Sequence, residues 1–221
     1  MGKFIVIDGL DGSGKGTQTD ILVNHLKKEG KKVRTLSFPM YDNDSSFFVK
    51  MYLEGKLGKN PSDTNSYASS MFFACDRYIS FRTDWINDYN DKETIIVANR
   101  YSSANAVHQL SKLPKEEWDG FLSWLWDFEF TKLGLPKPDL TIYLELTPDL
   151  SLSLVDSRSK KTGQKKDIHE LDTSYMNNCY EAALYSSLKL GWNKIKCYKE
   201  GKIRTIDDIS EEIYEIVSKL L

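Results

Sequence analysis

Apolar residues along this chain follow two alternating rhythms. Short branched runs, beginning with Phe4-Ile5-Val6-Ile7, have the length and composition of buried strands. Between them the spacing widens to helical steps: Ile21, Leu22 and Leu26 mark one face of a helix over Thr17–Glu29, with Gly30 as its stop. Lys32–Phe38 reads as a second strand closed by Pro39, and residues 45–55 as a helix ending at Gly55. After a loop at Gly58, Asn60 and Pro61, a long helical segment is expected over Thr64–Asp91. Thr94–Ala98 is a third strand, a continuous branched run typical of a parallel sheet covered on both faces. Helices follow over 102–112 and 115–131, then a fourth strand over Asp139–Leu146 and a helix opened by Pro148. A helix over Asp172–Leu190, a strand near Ile195–Tyr198 and a helix from Asp207 complete the pattern. Five strands separated by helices predict an α/β fold with three layers, a five-stranded parallel sheet flanked by helices. No repeat or shift of composition divides the chain, so residues 1–221 read as a single domain.

The first strand–helix turn carries the densest chemistry: Gly9-Leu10-Asp11-Gly12-Ser13-Gly14-Lys15-Gly16-Thr17. Glycines there let successive backbone N–H groups curl around phosphate oxygens, and the helix start adds its positive dipole end. Strand before and helix after are the context that makes such a loop a phosphate site, as against a glycine-rich turn with no ligand. Gly9, Asp11, Gly12, Ser13, Gly14, Lys15, Gly16 and Thr17 are therefore the candidate nucleotide contacts. Lys15 would reach the outer phosphates, and the Thr17 hydroxyl would orient magnesium. A dinucleotide fingerprint fits less well, because position 17 is not glycine.

Composition narrows the class. With 40% hydrophobic residues and a net charge of −2, the chain reads as a soluble globule with none of the basic excess expected of a nucleic-acid surface. No apolar run approaches the ~20 residues needed to span a bilayer, so no membrane is expected. Cys75, Cys179 and Cys197 are odd in number and without metal-ligand spacing, which suggests reduced thiols in cytoplasm. His25, His108 and His169 are too dispersed to form a metal cluster.

Ligands of such sheets sit beyond the carboxyl ends of the strands. That rule selects Phe38-Pro39-Met40-Tyr41 and Asn99-Arg100-Tyr101 beside the phosphate loop. An arginine at position 100 can bridge phosphoryl groups with its planar fork; the alternative is a solvated surface arginine. Phe73 and Arg77 lie four apart and share a helix face. A ring beside a guanidinium suits a nucleobase, but Phe73 as core and Arg77 paired with a carboxylate is the competing reading. Arg158-Ser-Lys-Lys-Thr-Gly-Gln-Lys-Lys166 holds five cations and no core-facing pattern. It reads as a mobile lid, about 158–167, with a solvated loop as the alternative. The apolar stretch Trp118–Phe128 is core or a subunit interface.

Taken together, these residues resemble the thymidylate kinases, nucleoside monophosphate kinases of the phosphate-loop NTPase type. The loop with an aspartate two places after its first glycine, Phe38-Pro39, Phe73-x-x-x-Arg77, Arg100-Tyr101 and Asn105 occur in the family's order, from Lys3 to the C-terminal helix. The resemblance implies ATP-dependent phosphorylation of dTMP to dTDP with Mg²⁺, in a homodimer whose only other partners are small molecules. The alternatives are a kinase for another deoxynucleoside monophosphate and a nucleotide-binding regulatory protein with weak turnover. It further implies Lys15, Arg100 and Arg158 as catalytic cations and Thr17, Asp11 and Asn99 near the metal. Asp11, Phe38, Pro39, Phe73, Arg77, Arg100, Asn105 and His108 are the implied monophosphate contacts. One group of the family has an arginine inside the phosphate loop, the other basic residues in the lid; Gly12 and the cationic 158–166 segment match the second. Four positions depart from the pattern: Asn99 replaces an aspartate, Ala104 a serine, and Tyr41 and His108 stand where an arginine and a tyrosine are often found.

Overall fold

The computed structural model describes residues 1–162 and 173–221, with the backbone alone at 156–162 and 173. Five strands, β1 (Lys3–Gly9), β2 (Lys32–Ser37), β3 (Thr94–Asn99), β4 (Leu140–Glu145) and β5 (Asn193–Lys196), form one sheet in the order β2-β3-β1-β4-β5. Every pairing is parallel. The five strands and their flanking helices are those the hydrophobic pattern predicts.

Why the strands read as continuous apolar runs is plain from the two faces. Ile5, Ile7, Val97 and Leu144 pack on one side, against Leu22 and Leu26 of α1 (Lys15–Lys28) and Ile213 and Val217 of α9 (Ile206–Ser218). Phe4, Val6, Ile96 and Ala98 pack on the other, with Phe38, Trp85 and Tyr101. Alternate side chains of one strand thus feed two cores, so neither parity can be polar. On this second side stand α2 (Phe47–Leu53), α3 (Ser66–Ser80), a π-helical turn Phe81–Trp85 and α4 (Ile86–Asn90). They are followed beyond β3 by α5 (Ser102–His108), α6 (Trp118–Trp126) and a second π-helical turn over Asp127–Lys132. The long segment expected over Thr64–Asp91 is therefore one helical path whose period changes at Phe81.

Two differences from the expected pattern stand out. Tyr198–Lys199 (β6) and Lys202–Ile203 (β7) form a small antiparallel hairpin apart from the main sheet. Its turn is Glu200-Gly201, both with positive φ (51° and 73°), the geometry of a two-residue hairpin loop. Helix α7 (Pro148–Thr162) also runs into the segment expected as a lid, so its first residues are helical in backbone. Helix α8 (Thr173–Leu190) then leads to β5.

The order of strands places the site. β1 sits between β3 and β4, and the helix leaving β1 (α1, against Ile5 and Ile7) lies on the opposite face from the one leaving β3 (α5, whose Val107 packs with Tyr143), so the crevice beyond β1 and β3 is the switch point where such sheets hold ligands.

Candidate active site

The loop between β1 and α1 fills that crevice. Gly12 and Gly14 both have φ of +84°, a left-handed conformation that a side chain would strain. At Gly12 there is no room either: a Cβ would stand 2.6 Å from the carbonyl oxygen of Ser151, in the first turn of α7. Ser151 Oγ donates to the carbonyl of Asp11, fastening α7 to the loop. Gly16, by contrast, is open towards Asn99.

Charge gathers immediately beneath. Lys15 Nζ donates to the Leu10 carbonyl at 3.1 Å and to Asp11 Oδ1 at 3.2 Å. Arg100 pairs with the same carboxylate oxygen. Burial alone would raise the Asp11 pKa, but Arg100 and Lys15 outweigh it and hold the carboxyl far below its usual range. Lys15 itself is lowered, by burial first and by Arg100 second. Arg100 adopts φ of +65°, rare for a side-chain-bearing residue, while its N–H donates to the Ile7 carbonyl at 3.0 Å. Backbone strain of this kind persists where surrounding contacts over-determine it, and it concentrates at functional positions. Here the two cations and the turn that aims them are locked to β1.

Asp8 and Asn99 stand at the ends of neighbouring strands. Asp8 is buried and accepts from Ser103 Oγ at 2.6 Å and from the Gly9 N–H at 2.8 Å; burial raises its pKa. Ser103, one place before Ala104, is a participant the sequence reading missed. Asn99 Nδ2 donates to Ser37 Oγ at 3.2 Å, whereas its buried Oδ1 has no hydrogen-bond partner among the described residues. Thr17 is exposed on the first turn of α1. A metal role for Asp11 finds no support in this arrangement, because its carboxylate is occupied by two cations.

A cavity of about 510 Å³ extends from the loop (Gly12–Gln18) and Asn99 to Leu154, Cys197, Ile203, Arg204, Ile206 and Ile209. Its far wall comes from the unexpected hairpin and the start of α9. Gln18 ties the two ends together, its Nε2 donating to the Ile206 carbonyl at 2.9 Å.

The other wing of the site is helical. Phe73 is half-buried, belongs to no core cluster, and meets Tyr52 edge-on with centroids 6.1 Å apart. Arg77 is only 2% exposed and grips Glu129 with both arms of its fork, Nε to Oε2 at 2.8 Å and a second, shorter contact to Oε1. Its Nη1 reaches the Tyr101 carbonyl at 3.4 Å. Asn105 Nδ2 donates to Glu129 Oε1 and to the Ser70 carbonyl, both at 3.2 Å. Of the two readings of this pair, Arg77 follows the carboxylate partner and Phe73 departs from the core. Glu129 is the residue that sequence reasoning missed, although it stands four places after buried Leu125, and a carboxylate on a core stripe demands a cation.

Two remaining candidates lie apart from open space. Phe38, which joins Pro39 by a cis peptide bond, has its ring packed against Tyr101 and Trp85 in the core, and its N–H donates to the Asn99 carbonyl at 3.0 Å. The Met40 N–H just beyond donates to Asp76, which also accepts from Ser45. His108 is buried beside Tyr175 and Cys179, with Tyr175 Oη donating to its carbonyl at 2.9 Å; burial and then Arg100 lower its pKa to about 3. The side chain of Arg158 and residues 163–167 of the expected lid lie outside the described residues.

With that geometry in place, the sequence model of the family described as thymidylate kinase matches residues 7–191. This chain belongs to the thymidylate kinase family. It is 29% identical over 192 residues to the thymidylate kinase of Mycobacterium tuberculosis, covering 86% of this chain and 87% of that one. To the thymidylate kinase of Dictyostelium discoideum it is 27% identical over 216 residues, 97% of this chain and 84% of that one. A solved thymidylate kinase structure from Candida albicans superposes with a TM-score of 0.70 at 22% identity, over 99% of this chain and 92% of that one, which establishes the common fold. As a member of the family the chain is an enzyme, a nucleoside monophosphate kinase. Family and relatives favour neither alternative, the other-monophosphate kinase nor the regulatory protein. Among the described residues no helix is long and apolar enough to cross a membrane.

Proposed function

We propose that this thymidylate kinase family member transfers the γ-phosphoryl group of ATP to dTMP, giving dTDP, with the phosphate loop and the Phe73 wing as its two substrate sites. The observation that carries this reading is the position of Lys15 and Arg100. Both converge on Asp11 within the phosphate loop, and Arg100 precedes Tyr101, whose carbonyl Arg77 of the other wing reaches. The cavity running to the hairpin suits ATP, triphosphate against Gly12–Thr17 and base against Cys197, Ile203 and Arg204.

Phosphoryl transfer needs alignment and charge neutralisation more than covalent help from the protein. Lys15 holds the outer phosphates of ATP, and Arg100 holds the acceptor phosphate in line with them. In their absence Asp11 satisfies both cations; substrate oxygens take that place, leaving Asp11 to receive the sugar hydroxyl. Phe73 stacks on the base, while Arg77 and Asn105, braced by Glu129, face its edge. His108, buried behind the site, would act on the sugar side only through the charged groups around Asp11. The acceptor phosphate is already ionised near neutrality (second pKa ~6), so no general base is required. Arg158 is the proposed lid cation.

Mg²⁺ fits the residues present. The Oδ1 of Asn99, without a hydrogen-bond partner among the described residues, and the exposed hydroxyl of Thr17 border the same cavity and are oxygen donors of the kind that ion takes, directly or through water. When bound, the ion would neutralise developing negative charge on the phosphates. A homodimer would use the face formed by Phe47 and Phe48 of α2 and Tyr67, Met71 and Tyr78 of α3, large apolar side chains left 38–59% exposed. We read 1–221 as one kinase unit, because a single sheet takes strands from both ends of the chain, and as cytoplasmic, because all three cysteines are free thiols.

A steady-state assay over a panel of nucleoside monophosphates tests the reading. dTMP should give the highest kcat/KM, and Phe73→Ala should raise the dTMP KM by roughly 1–3 kcal/mol of lost stacking while ATP binding is preserved. Preference for another monophosphate would overturn the substrate assignment. Absence of turnover with every one would overturn the activity.

A further inference from the structure

Behind the Phe73 wing lies a cation that the proposed chemistry does not use. Lys112 closes a short 3-10 turn, Leu110–Lys112, after α5. An ammonium has three N–H donors, and all three are spent here. They go to Tyr52 Oη at 2.8 Å, Ser69 Oγ at 3.1 Å and the Thr64 carbonyl at 3.2 Å. Nζ also stands over the Tyr52 ring, 4.9 Å from its centroid. One side chain therefore staples α2, the turn after it and α3.

Such a placement is costly. Among the described residues no carboxylate pairs with Lys112, and burial brings its pKa down from the usual lysine value to about 7. An apolar side chain would join the same three elements without desolvating a charge. What the cation supplies instead is direction, since each of its bonds fixes one atom. Two of those atoms lead to Phe73. Tyr52 meets the Phe73 ring edge-on, and Ser69 lies one helical turn before it on the same face of α3. Ser69 is further held by Gln109, to whose Oε1 it donates at 2.7 Å.

We propose that Lys112 is a positioning residue for the nucleobase, holding Tyr52 and the Ser69 turn so that Phe73 presents its face at a fixed angle. The inference rests on the reading of Phe73 as the stacking platform. Lys112 touches no substrate; it acts by keeping the two walls of the base pocket in register.

The test is a double-mutant cycle on the full-length enzyme, with Lys112→Met, Tyr52→Phe, the pair together, and Phe73→Ala as calibrator. Loss of a buried hydrogen-bonded partner predicts a dTMP KM raised about tenfold in Lys112→Met, with the ATP KM and kcat within about twofold of wild type. Tyr52→Phe keeps the ring and removes only its hydroxyl, and should raise the dTMP KM in the same direction. The double variant should be no worse than the worse single, because both cut one connection. An unchanged dTMP KM in Lys112→Met, alongside a raised one in Phe73→Ala, would overturn the role while leaving the stacking platform intact. Parallel rises in both substrates' KM would mark Lys112 as general scaffolding, which also overturns it. If Phe73→Ala leaves the dTMP KM unchanged, the platform reading fails and this inference fails with it. Should Lys112→Met not fold, Tyr52→Phe decides alone, and an unchanged dTMP KM there would overturn the proposal.

Discussion

The phosphate wing and the base wing of this site are built on opposite plans. The first is a contiguous loop turned by left-handed glycines, with Arg100 set against it in a left-handed turn at the end of the adjacent strand β3; its partners lie mostly within a few residues or on adjacent strands. The second is assembled from four helical segments, with Arg77 and Glu129 meeting across 52 positions of sequence in a buried pair. The loop's charges are buried too, but Lys15 lines the open cavity, where a ligand can replace Asp11 as its partner. The helices bury charge and cannot release it without loss of structure. Substitutions should therefore damage activity in the first wing and folding in the second.

The largest effect sharpens that contrast on the phosphate side. Lys15→Ala should lower kcat by about 10²–10³-fold, the scale of losing a preorganised electrostatic donor, while the melting temperature changes little. Single-turnover kinetics with dTMP check it; a cold-sensitive or unfolded variant would erase the distinction. On the base side the converse holds. Glu129→Ala leaves the Arg77 guanidinium buried without its carboxylate, and breaking such a pair costs about 3–5 kcal/mol. Denaturant unfolding should register that loss, and wild-type stability would place the pair outside the fold's requirements.

How much of this was legible in the sequence follows the same division. Gly9–Thr17 announces itself because a loop's function and its residues are contiguous, and the strand before it and helix after it are local patterns. Arg100 and Asn99 are found by following the strand ends. Glu129 is not, since nothing nearby in sequence shares its task; the Leu122–Leu125 stripe was the available signal. The hairpin at Tyr198–Ile203 escapes for another reason. Its strands are two residues each, too short for period-two alternation, and only the Glu200-Gly201 turn marks it. Phe38 shows the opposite failing: its place in the motif is right, but the ring turns into the aromatic core.

A pH series breaks the comparison at its boundary, where His108 joins the wings. The imidazole is held neutral, with a pKa lowered from 6.5 to about 3 by burial. An unfolded chain binds the proton first, so the stability conferred by neutral His108 is complete above about pH 6.5 and is lost as pH falls towards 3. Between pH 7 and 4 this should amount to roughly 3 kcal/mol, and His108→Gln should lack that part of the slope. Matching slopes in the two proteins would relocate the acid sensitivity to the carboxylates. The smallest effect is expected at Asn99. An aspartate there would give a metal-bound water a charged acceptor, about twice as strong as a neutral one. Asn99→Asp should shift half-saturation to lower Mg²⁺ at saturating ATP and dTMP, with the dTMP KM nearly unchanged. Superimposable titrations would remove position 99 from the metal site.

The docking of α7 on Gly12 has a consequence for how this enzyme can change. With 2.6 Å between an absent Cβ and the Ser151 carbonyl, position 12 is closed to every side chain while α7 stays where it is. No side chain, cationic or otherwise, can enter the loop at position 12 by one codon; the first turn of α7 must first back away. A laboratory attempt to place a cation there would need Gly12 and the first turn of α7 varied together.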